Sequence, residues 1–304
     1  MNAFEALGMT EKSGDLTAEQ INKVKGLGCL RDKRFEDVFN VRVLTGNGKI
    51  STEKHRVVAE AADRFGSGEV ALTSRMTFEI QGVPYENIPQ LILFLNEHGM
   101  VTGGTGPKVR PVVSCKGTTC VFGLIDTYSL SAKIHEKYYL GFHNMILPHK
   151  FKIAVGGCPN NCVKPDLNDL GIVGCRIFIP DTEKCRGCKK CIPAESCPMG
   201  SIELADGKVK LNPDLCNRCG RCLEKCPFGV FSEAKVGYRV SVGGRWGKKG
   251  SRGTFLSHIF ESEEEVLSAV EKAILLFRDE GIKGERFAET VARLGIDYVE
   301  KKLL

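Results

Sequence analysis

The sequence predicts an α+β fold with a small module inserted into it. Near the N-terminus, short stretches of period-two and period-3.6 hydrophobicity alternate in a β-α-β-β-α order. Between residues 181 and 234 the texture changes: the chain becomes dense in Cys, Gly and Pro and nearly repeats itself. The whole has 304 residues, 42% hydrophobic and 26% charged. That is enough for about two domains and ordinary for a chain with a real core.

In order along the chain, residues 1–35 read as an N-terminal arm with a short helix around 18–27. Residues 37–44 read as a strand, with Phe39, Val41 and Val43 on one face and Val38, Asn40 and Arg42 on the other. Thr52 is placed to cap a helix running to Phe65, with Gly66 as its stop. Strands are expected at 70–73 and 77–81 and a helix at 88–98. Segments this short in this order suggest a ferredoxin-like half-domain over 36–106. Residues 126–135 read as helical and 151–155 as a strand. After the insert, 238–242 returns to strand pattern. Ser262 with Glu265 forms a capping-box signature ahead of Val266, Val270, Ala273, Ile274 and Phe277, and Gly281 ends that helix. A last amphipathic helix is expected over about 285–294.

No apolar run approaches the roughly 20 residues of a membrane span, so none is expected. The first residues lack a basic start followed by an apolar stretch, so the expected compartment is the cytoplasm. The net charge is +6. A mildly basic surface accounts for it, and so does an anionic substrate or cofactor. No long Lys/Arg block argues for nucleic acid.

Fourteen cysteines in a cytosolic chain point to metal sites rather than disulfides. Cys185, Cys188 and Cys191 follow C-x2-C-x2-C, and Cys197 follows after five more residues, before Pro198. Cys216, Cys219, Cys222 and Cys226 repeat the theme, with Pro227 behind. This is the bacterial ferredoxin pattern, in which three cysteines of a run grip one cubane and the fourth ligates the other. By that rule Cys185, Cys188, Cys191 and Cys226 hold one [4Fe–4S] cluster. Cys216, Cys219, Cys222 and Cys197 hold the second. Zinc ribbons, the alternative, usually show two CxxC pairs rather than two triplets each completed by Cys-Pro. The stretch around Pro193, Ala194 and Glu195 lengthens the usual three-residue gap of the first run.

Four more cysteines precede the insert: Cys115 and Cys120 in CKGTTC, and Cys158 and Cys162 in GGCPNNC. In the context LPHKFKIAVGGCPNNC, the second pair strongly resembles the siroheme-dependent sulfite and nitrite reductases. The resemblance spans about residues 36–260. With the module inserted after GGCPNNC, it is most similar to the catalytic (C) subunit of anaerobic sulfite reductase and to dissimilatory subunits.

That resemblance implies a siroheme-reductase half carrying an inserted 2[4Fe–4S] ferredoxin domain at 181–234. The siroheme and cluster-binding domain would then be 107–180 plus 235–304. It implies a third [4Fe–4S] cluster on Cys115, Cys120, Cys158 and Cys162, with Cys162 bridging to the siroheme iron. The family's first pair is commonly C-x5-C, whereas Cys115 and Cys120 have four residues between them, which implies a tighter loop.

It also implies an anion cage of two arginines and two lysines: Arg42 in FNVRVLTGNGK, Arg75 in ALTSRMTFEIQGV, and Lys150 and Lys152 in PHKFK. Reduction of sulfite needs positive charge and proton donors at the anion. On a strand Lys150 and Lys152 would share one face, about 7 Å apart, with Phe151 and Ile153 behind. A solvated sheet face is the alternative for any one of them. Siroheme carries carboxylates, so further bases are expected: Arg110, and Arg245, Lys248, Lys249 and Arg252 on the loop SVGGRWGKKGSRG, where Gly244 lets backbone approach a flat ligand. Lys116, Thr118, Thr119 and Asn160 are weaker candidates, and His149 neighbours the lysines. Cys29 and Cys175 lack partners at ligand spacing and read as free core thiols.

The activity implied is reduction of sulfite to sulfide, with nitrite as the alternative substrate. Electrons would come from a flavoprotein or ferredoxin partner. The rival of another class is a non-catalytic iron–sulfur electron-transfer subunit, which needs no anion cage. Larger family members contain two such halves, so a homo- or hetero-oligomer is expected.

Overall fold

The computed structural model describes residues 2–304. The chain divides into two units, one of residues 1–113, 131–153 and 274–290, the other of residues 114–130, 154–273 and 291–304.

The first unit begins with helices α1 (Ala3–Ala6) and α2 (Ala18–Gly26). Each opens with a capping box, on Asn2 with Glu5 and on Thr17 with Gln20, so the polar arm is locally specified. Strands β1 (Cys29–Arg31), β2 (Val38–Val43), β3 (Val70–Leu72) and β4 (Phe78–Pro84) form an antiparallel sheet in the order β1-β2-β4-β3. Strand β2 alternates as its sequence dictates: Phe39, Val41 and Val43 are fully buried. They share one core with Phe78, Ile80 and Val83 of β4, with Val58, Ala61 and Ala62 of helix α3 (Thr52–Phe65), and with Leu91, Ile92 and Leu95 of helix α4 (Ile88–Glu97). The cap of α3 is Ser51 rather than Thr52: Ser51 holds an extended backbone and its Oγ accepts from the Lys54 N–H at 3.2 Å. Of two adjacent hydroxyls, only the one outside the helical turn reaches that donor.

The second unit is built on a five-stranded sheet ordered β11-β10-β7-β6-β5, from β5 (Val113–Ser114), β6 (Ile153–Gly156), β7 (Leu170–Ile177), β10 (Lys235–Val242) and β11 (Thr254–Phe260). Strands β7 and β10 pair antiparallel along their whole length, from Leu170 against Val242 to Ile177 against Lys235. Residues 178–234 therefore leave and rejoin the sheet at neighbouring positions, so they extend from it without breaking the ladder. Within them strands β8 (Ile202–Ala205) and β9 (Lys208–Leu211) form a hairpin. Its two-residue turn, Asp206-Gly207, has both φ values positive, at 53° and 73°, as a type I′ turn requires. The segment has its own small core of Phe178, Ile202, Val209, Cys222, Val230 and Phe231.

Five helices complete the chain: α5 (Thr127–Ile134), α6 (Ile192–Ser196), α7 (Glu263–Glu280), α8 (Phe287–Leu294) and α9 (Ile296–Leu303). A π-helical turn, His135–Leu140, follows α5. The predicted face of α7 is buried throughout: Val266, Val270, Ala273, Ile274 and Phe277 are all at 0% exposure. The Ser262 Oγ accepts from the Glu265 N–H at 3.2 Å, and the Glu265 carboxylate reaches one residue further back, to the Glu261 N–H at 2.9 Å.

Candidate functional site

In the second unit the two early cysteine pairs come together. Cys115 is placed at the end of β5, where its N–H donates to the Val155 carbonyl at 3.0 Å, and its Sγ accepts from the Gly157 N–H at 3.1 Å. Gly117 and Gly157 make this approach possible: a Cβ on Gly157 would lie 2.8 Å from the Gly117 Cα. Burial raises the Cys158 thiol. The Asn160 N–H opposes that, and the nearby Cys115, Cys162 and Cys120 sulfurs add to it. The four sulfurs are thus electrostatic neighbours. Among the described residues no three His, Cys, Asp or Glu side chains converge tightly enough to hold a single metal ion. The grouping is looser than one ion requires.

Cys162 is exposed, whereas Cys115, Cys120 and Cys158 are half-buried. Its loop turns on Asn161, at φ 58°, whose side-chain amide donates to the Asp166 carboxylate at 2.9 Å. The CKGTTC loop is pinned by Thr127, which is fully buried at the start of α5. Its hydroxyl donates to the Cys115 carbonyl at 2.7 Å and accepts from the Thr118 N–H at 3.2 Å. Thr118 in turn donates to Asp126 at 2.7 Å. The Thr119 hydroxyl donates to the Lys116 carbonyl at 3.3 Å, and Lys116 and Asn160 are exposed. Thr127 is the residue that sequence reasoning missed here. A Thr seven residues past the second cysteine has no spacing signal of its own.

The later cysteines fall into two groups. Burial pushes the Cys222 thiol up to about 12, and the Cys216, Cys219 and Cys197 sulfurs around it contribute. Burial by itself raises Cys197. The Ser201 hydroxyl and the N–H groups of Ser201, Met199 and Gly200 outweigh that and hold it below the usual thiol value. The other four, Cys185, Cys188, Cys191 and Cys226, line a common cavity with Ile192, Leu204 and Phe228. The two runs share backbone devices. A left-handed residue precedes the second cysteine of each (Gly187 at 62°, Arg218 at 58°), and each Cys-Pro-x-Gly ends in a left-handed glycine (Gly200 at 59°, Gly229 at 74°). Four thiols per group, gathered around a cavity or a sulfur cluster, suit a soft iron–sulfur centre.

Arg42, Arg75 and Arg110 lie in the first unit. Arg42 on β2 sits opposite Glu79 on β4 and pairs with it, Nε to Oε2, at 3.0 Å. Arg75 follows β3 and donates through Nη2 to the Pro111 carbonyl and to the Ile153 carbonyl, the latter at 3.0 Å. Arg110 donates through Nη1 to the Gly104 carbonyl, and its buried Nε has no partner among the described residues. Burial, then the neighbouring Arg42 and Arg286 charges, push the Arg110 guanidinium down to about 10, with Tyr139 opposing. Arg286 is a second residue missed by sequence reasoning. It lies in GIKGERF, read only as the start of an amphipathic helix, and is buried.

Lys150 and Lys152 are half-buried and flank Phe151. Phe151 is locked in a ring cluster, 5.9 Å from Phe277 and 5.0 Å from Phe287. Strand β6 begins at Ile153, so the lysines precede it instead of lying on it. Phe151 makes only an isolated parallel bridge to Val109. The alternation still holds, because Phe151 and Ile153 are both fully buried. His149 Nδ1 accepts from the Lys150 N–H at 2.7 Å.

On the glycine-rich loop, Arg245 bridges to Ser251, and Lys248, Lys249 and Arg252 are exposed. Arg252 pairs with the buried Asp166. A Cβ on Gly244 would meet the Asp166 and Asn168 carbonyls at 2.3 and 2.4 Å, so this glycine is needed for packing against that turn. Asp166 therefore joins the Cys162 loop to the glycine-rich loop. The unmatched cysteines, Cys29 and Cys175, are buried, and burial pushes them up to about 12 and about 11.

Residues 105–303 match the nitrite and sulphite reductase 4Fe-4S domain, and residues 31–98 match the nitrite/sulfite reductase ferredoxin-like half domain. The chain belongs to the nitrite and sulfite reductase family. It is 31% identical over 267 residues to the coenzyme F420-dependent sulfite reductase of Methanocaldococcus jannaschii, which covers 86% of this chain and 42% of that protein. Over 192 residues it is 28% identical to the anaerobic sulfite reductase (C) subunit of Salmonella typhimurium, covering 58% of this chain and 55% of that relative. The chain thus spans about half or less of these two relatives. Its fold resembles a crystal structure of dissimilatory sulfite reductase I, with a TM-score of 0.69 and 22% identity over 88% of this chain and 69% of that one. The half domain of the family contains β2 to α4, and its 4Fe-4S domain contains all twelve of the cysteines assigned from spacing and resemblance. No helix among the described residues is long and apolar enough to cross a membrane.

Proposed function

We propose that this chain is a siroheme-containing subunit that reduces sulfite to sulfide, with three [4Fe–4S] clusters. The observation that carries the reading is the exposed Cys162, in a group whose other three thiols are half-buried. All four thiols would hold a cubane, and Cys162, the outermost of them, would also be the one to reach the siroheme iron. When bound, siroheme supplies the iron at which the anion is reduced by six electrons.

The chain's own residues do the rest. Arg42, Arg75, Lys150 and Lys152 hold the anion, and the two ammonium groups donate protons to its oxygens as they leave as water. The ring cluster around Phe151 fixes the backbone between the lysines. Arg110 has a buried donor without a partner and like charges beside it, which suits an anionic ligand group such as a siroheme carboxylate. The loop bases Arg245, Lys248 and Lys249 supplement it. Cys185, Cys188, Cys191 and Cys226, and Cys197, Cys216, Cys219 and Cys222, hold the two remaining cubanes and accept electrons from a donor protein. The subunit works as part of a cytoplasmic homo- or hetero-oligomer.

Anaerobically purified protein from a siroheme-competent host tests this. Its ultraviolet–visible spectrum is expected to show siroheme bands, with iron near three cubanes plus one siroheme iron per chain. Cluster absorption without siroheme would overturn the reading in favour of an electron-transfer subunit. Turnover of nitrite far faster than sulfite would reassign the substrate, since the cage suits either anion.

A further inference from the structure

Two half-buried arginines stand beside the Cys216 run. Arg239 lies on β10, paired with Val173 of β7 on one side and Ile259 of β11 on the other, so it is inside the five-stranded sheet rather than at its edge. Its guanidinium lies over the Phe255 ring, 4.2 Å from the centroid. The cysteine loop comes to the neighbouring strand. The Arg176 N–H of β7 donates to the Arg218 carbonyl at 2.9 Å, and a Cβ on Gly220 would lie 2.6 Å from the Arg176 Cγ. Arg218 stands between Cys216 and Cys219 on a left-handed backbone, at φ 58°. Arg239 is thereby within Coulomb range of Cys216, Cys175 and Arg218.

The charge at this place is not balanced by the protein. Burial disfavours the Arg239 charge, and the like charge of Arg218 adds to that. Among the described residues no carboxylate pairs with Arg239. Cys175 offers no compensation: it is fully buried, and burial pushes its thiol up to about 11, so it stays neutral. What remains is Cys216 and its partners. A cubane on four thiolates carries net negative charge, and an electron taken up adds to it. A half-buried guanidinium without a carboxylate suits that charge. Around the other group the bases are at the surface. Arg186 and Lys189 are exposed, and Lys184 and Lys190 pair with Asp181 and Glu195 at 3.0 and 3.5 Å. Water and salt screen exposed charges far more than half-buried ones.

We propose that Arg239 and Arg218 hold the reduction potential of the centre on Cys197, Cys216, Cys219 and Cys222 above that of its twin on Cys185, Cys188, Cys191 and Cys226. A nearby positive charge favours the state with the extra electron, so it raises the potential. The step concerned is the arrival of one electron from the donor protein of the function above, with no bond made or broken. Cys219 and Cys158 line one cavity of about 560 Å³, so the electron settles on the centre beside the Cys115–Cys162 group. This rests on the cluster assignment proposed above and adds two tuning residues and the order of the potentials.

The test is a redox titration of the anaerobic holoprotein, with each cubane followed by its paramagnetic signal. Arg239→Gln is expected to lower one midpoint by about 59 mV, a tenfold change in the one-electron equilibrium, while the other two cubanes hold theirs. Arg218→Gln should move the same signal in the same direction. Arg239→Lys keeps the charge and should recover most of the loss. Cys185→Ala protein marks the twin centre by the signal it loses, and the proposal falls if that signal is the one that moves. Unmoved midpoints in both Gln variants, with all three cubane signals present, would overturn the tuning and leave the cluster assignment standing. So would a Lys variant that falls as far as the Gln variant, or a shift shared by all three signals. Parent protein without cubane signals would overturn the assignment itself.

Discussion

Thr127 illustrates how much one hydroxyl governs. It is fully buried and holds both the Cys115 carbonyl and the Thr118 N–H. Thr127→Val keeps the volume but strands both groups, at a cost of about 1–3 kcal/mol. Because those groups lie in the CKGTTC loop, the variant should lose iron equal to about one cubane per chain. The paramagnetic signals of the other two proposed centres should persist. Unchanged iron would mean the loop does not depend on this hydroxyl. Asp166 is the corresponding tie for the Cys162 loop, with Asn161 on one oxygen and Arg252 on the other. Asp166→Ala should destabilise the protein by about 1–3 kcal/mol in denaturant titration, and a loss below a few tenths would contradict that role. His135 offers a pH test. It stacks on Tyr139 at 4.8 Å, its buried Nδ1 has no partner among the described residues, and burial lowers its pKa. A base whose folded pKa is lowered is neutral when buried, while the unfolded chain takes up a proton near pH 6.5. Stability from this residue is therefore present above that pH and lost as the pH falls from there toward the folded value. His135→Phe should remove that part of the acid slope.

Among the elements, α7 and β2 were legible because their periodicity is strong and one-sided. All five residues of the predicted α7 face are fully buried, as are the three of β2. Phe277 stands in the ring cluster with Phe151 and Phe287, its ring 5.4 Å from that of Phe287. Phe277→Ala should cost about 3–5 kcal/mol in a denaturant titration, as large core truncations do. A cost under 1 kcal/mol would mean the cluster collapses to fill the space. Strand β7 was not legible. Its sequence, LGIVGCRI, is interrupted by two glycines and shows no alternation, because it is buried along most of its length in the middle of the sheet. The glycines are required by close neighbours: a Cβ at Gly171 would meet the Pro165 carbonyl oxygen at 2.4 Å, and one at Gly174 the Gly157 carbonyl oxygen at 2.6 Å. Strand β11 and helix α9 were missed for a simpler reason. In β11 only Leu256 and Phe260 are buried, so no period-two pattern shows, and α9 begins after a single residue, Gly295, which reads as the end of a helix rather than a joint between two.

Taken whole, the molecule has two units of different composition. The first contains Arg42, Arg75, Arg110, Lys150 and Lys152, and the second contains all twelve cysteines of the proposed centres. Light scattering of an active preparation is expected to show an oligomer, and a monomer alone would refute that part of the proposal. The cysteine spacing and the CPNNC context carried enough information for the sequence by itself to determine the family. Thiols two residues apart must share a local loop, and loops are short-range objects. The alternation of β2 and the stripe of α7 were determined the same way. Only the tertiary structure decided what depends on residues far apart in the chain. Thr127 reaches back to Cys115, Asp166 reaches forward to Arg252, and Arg42 and Arg286 press their charge on Arg110. None of these has a spacing rule, since packing, and not the path of the backbone, brings such groups within hydrogen-bond or Coulomb range.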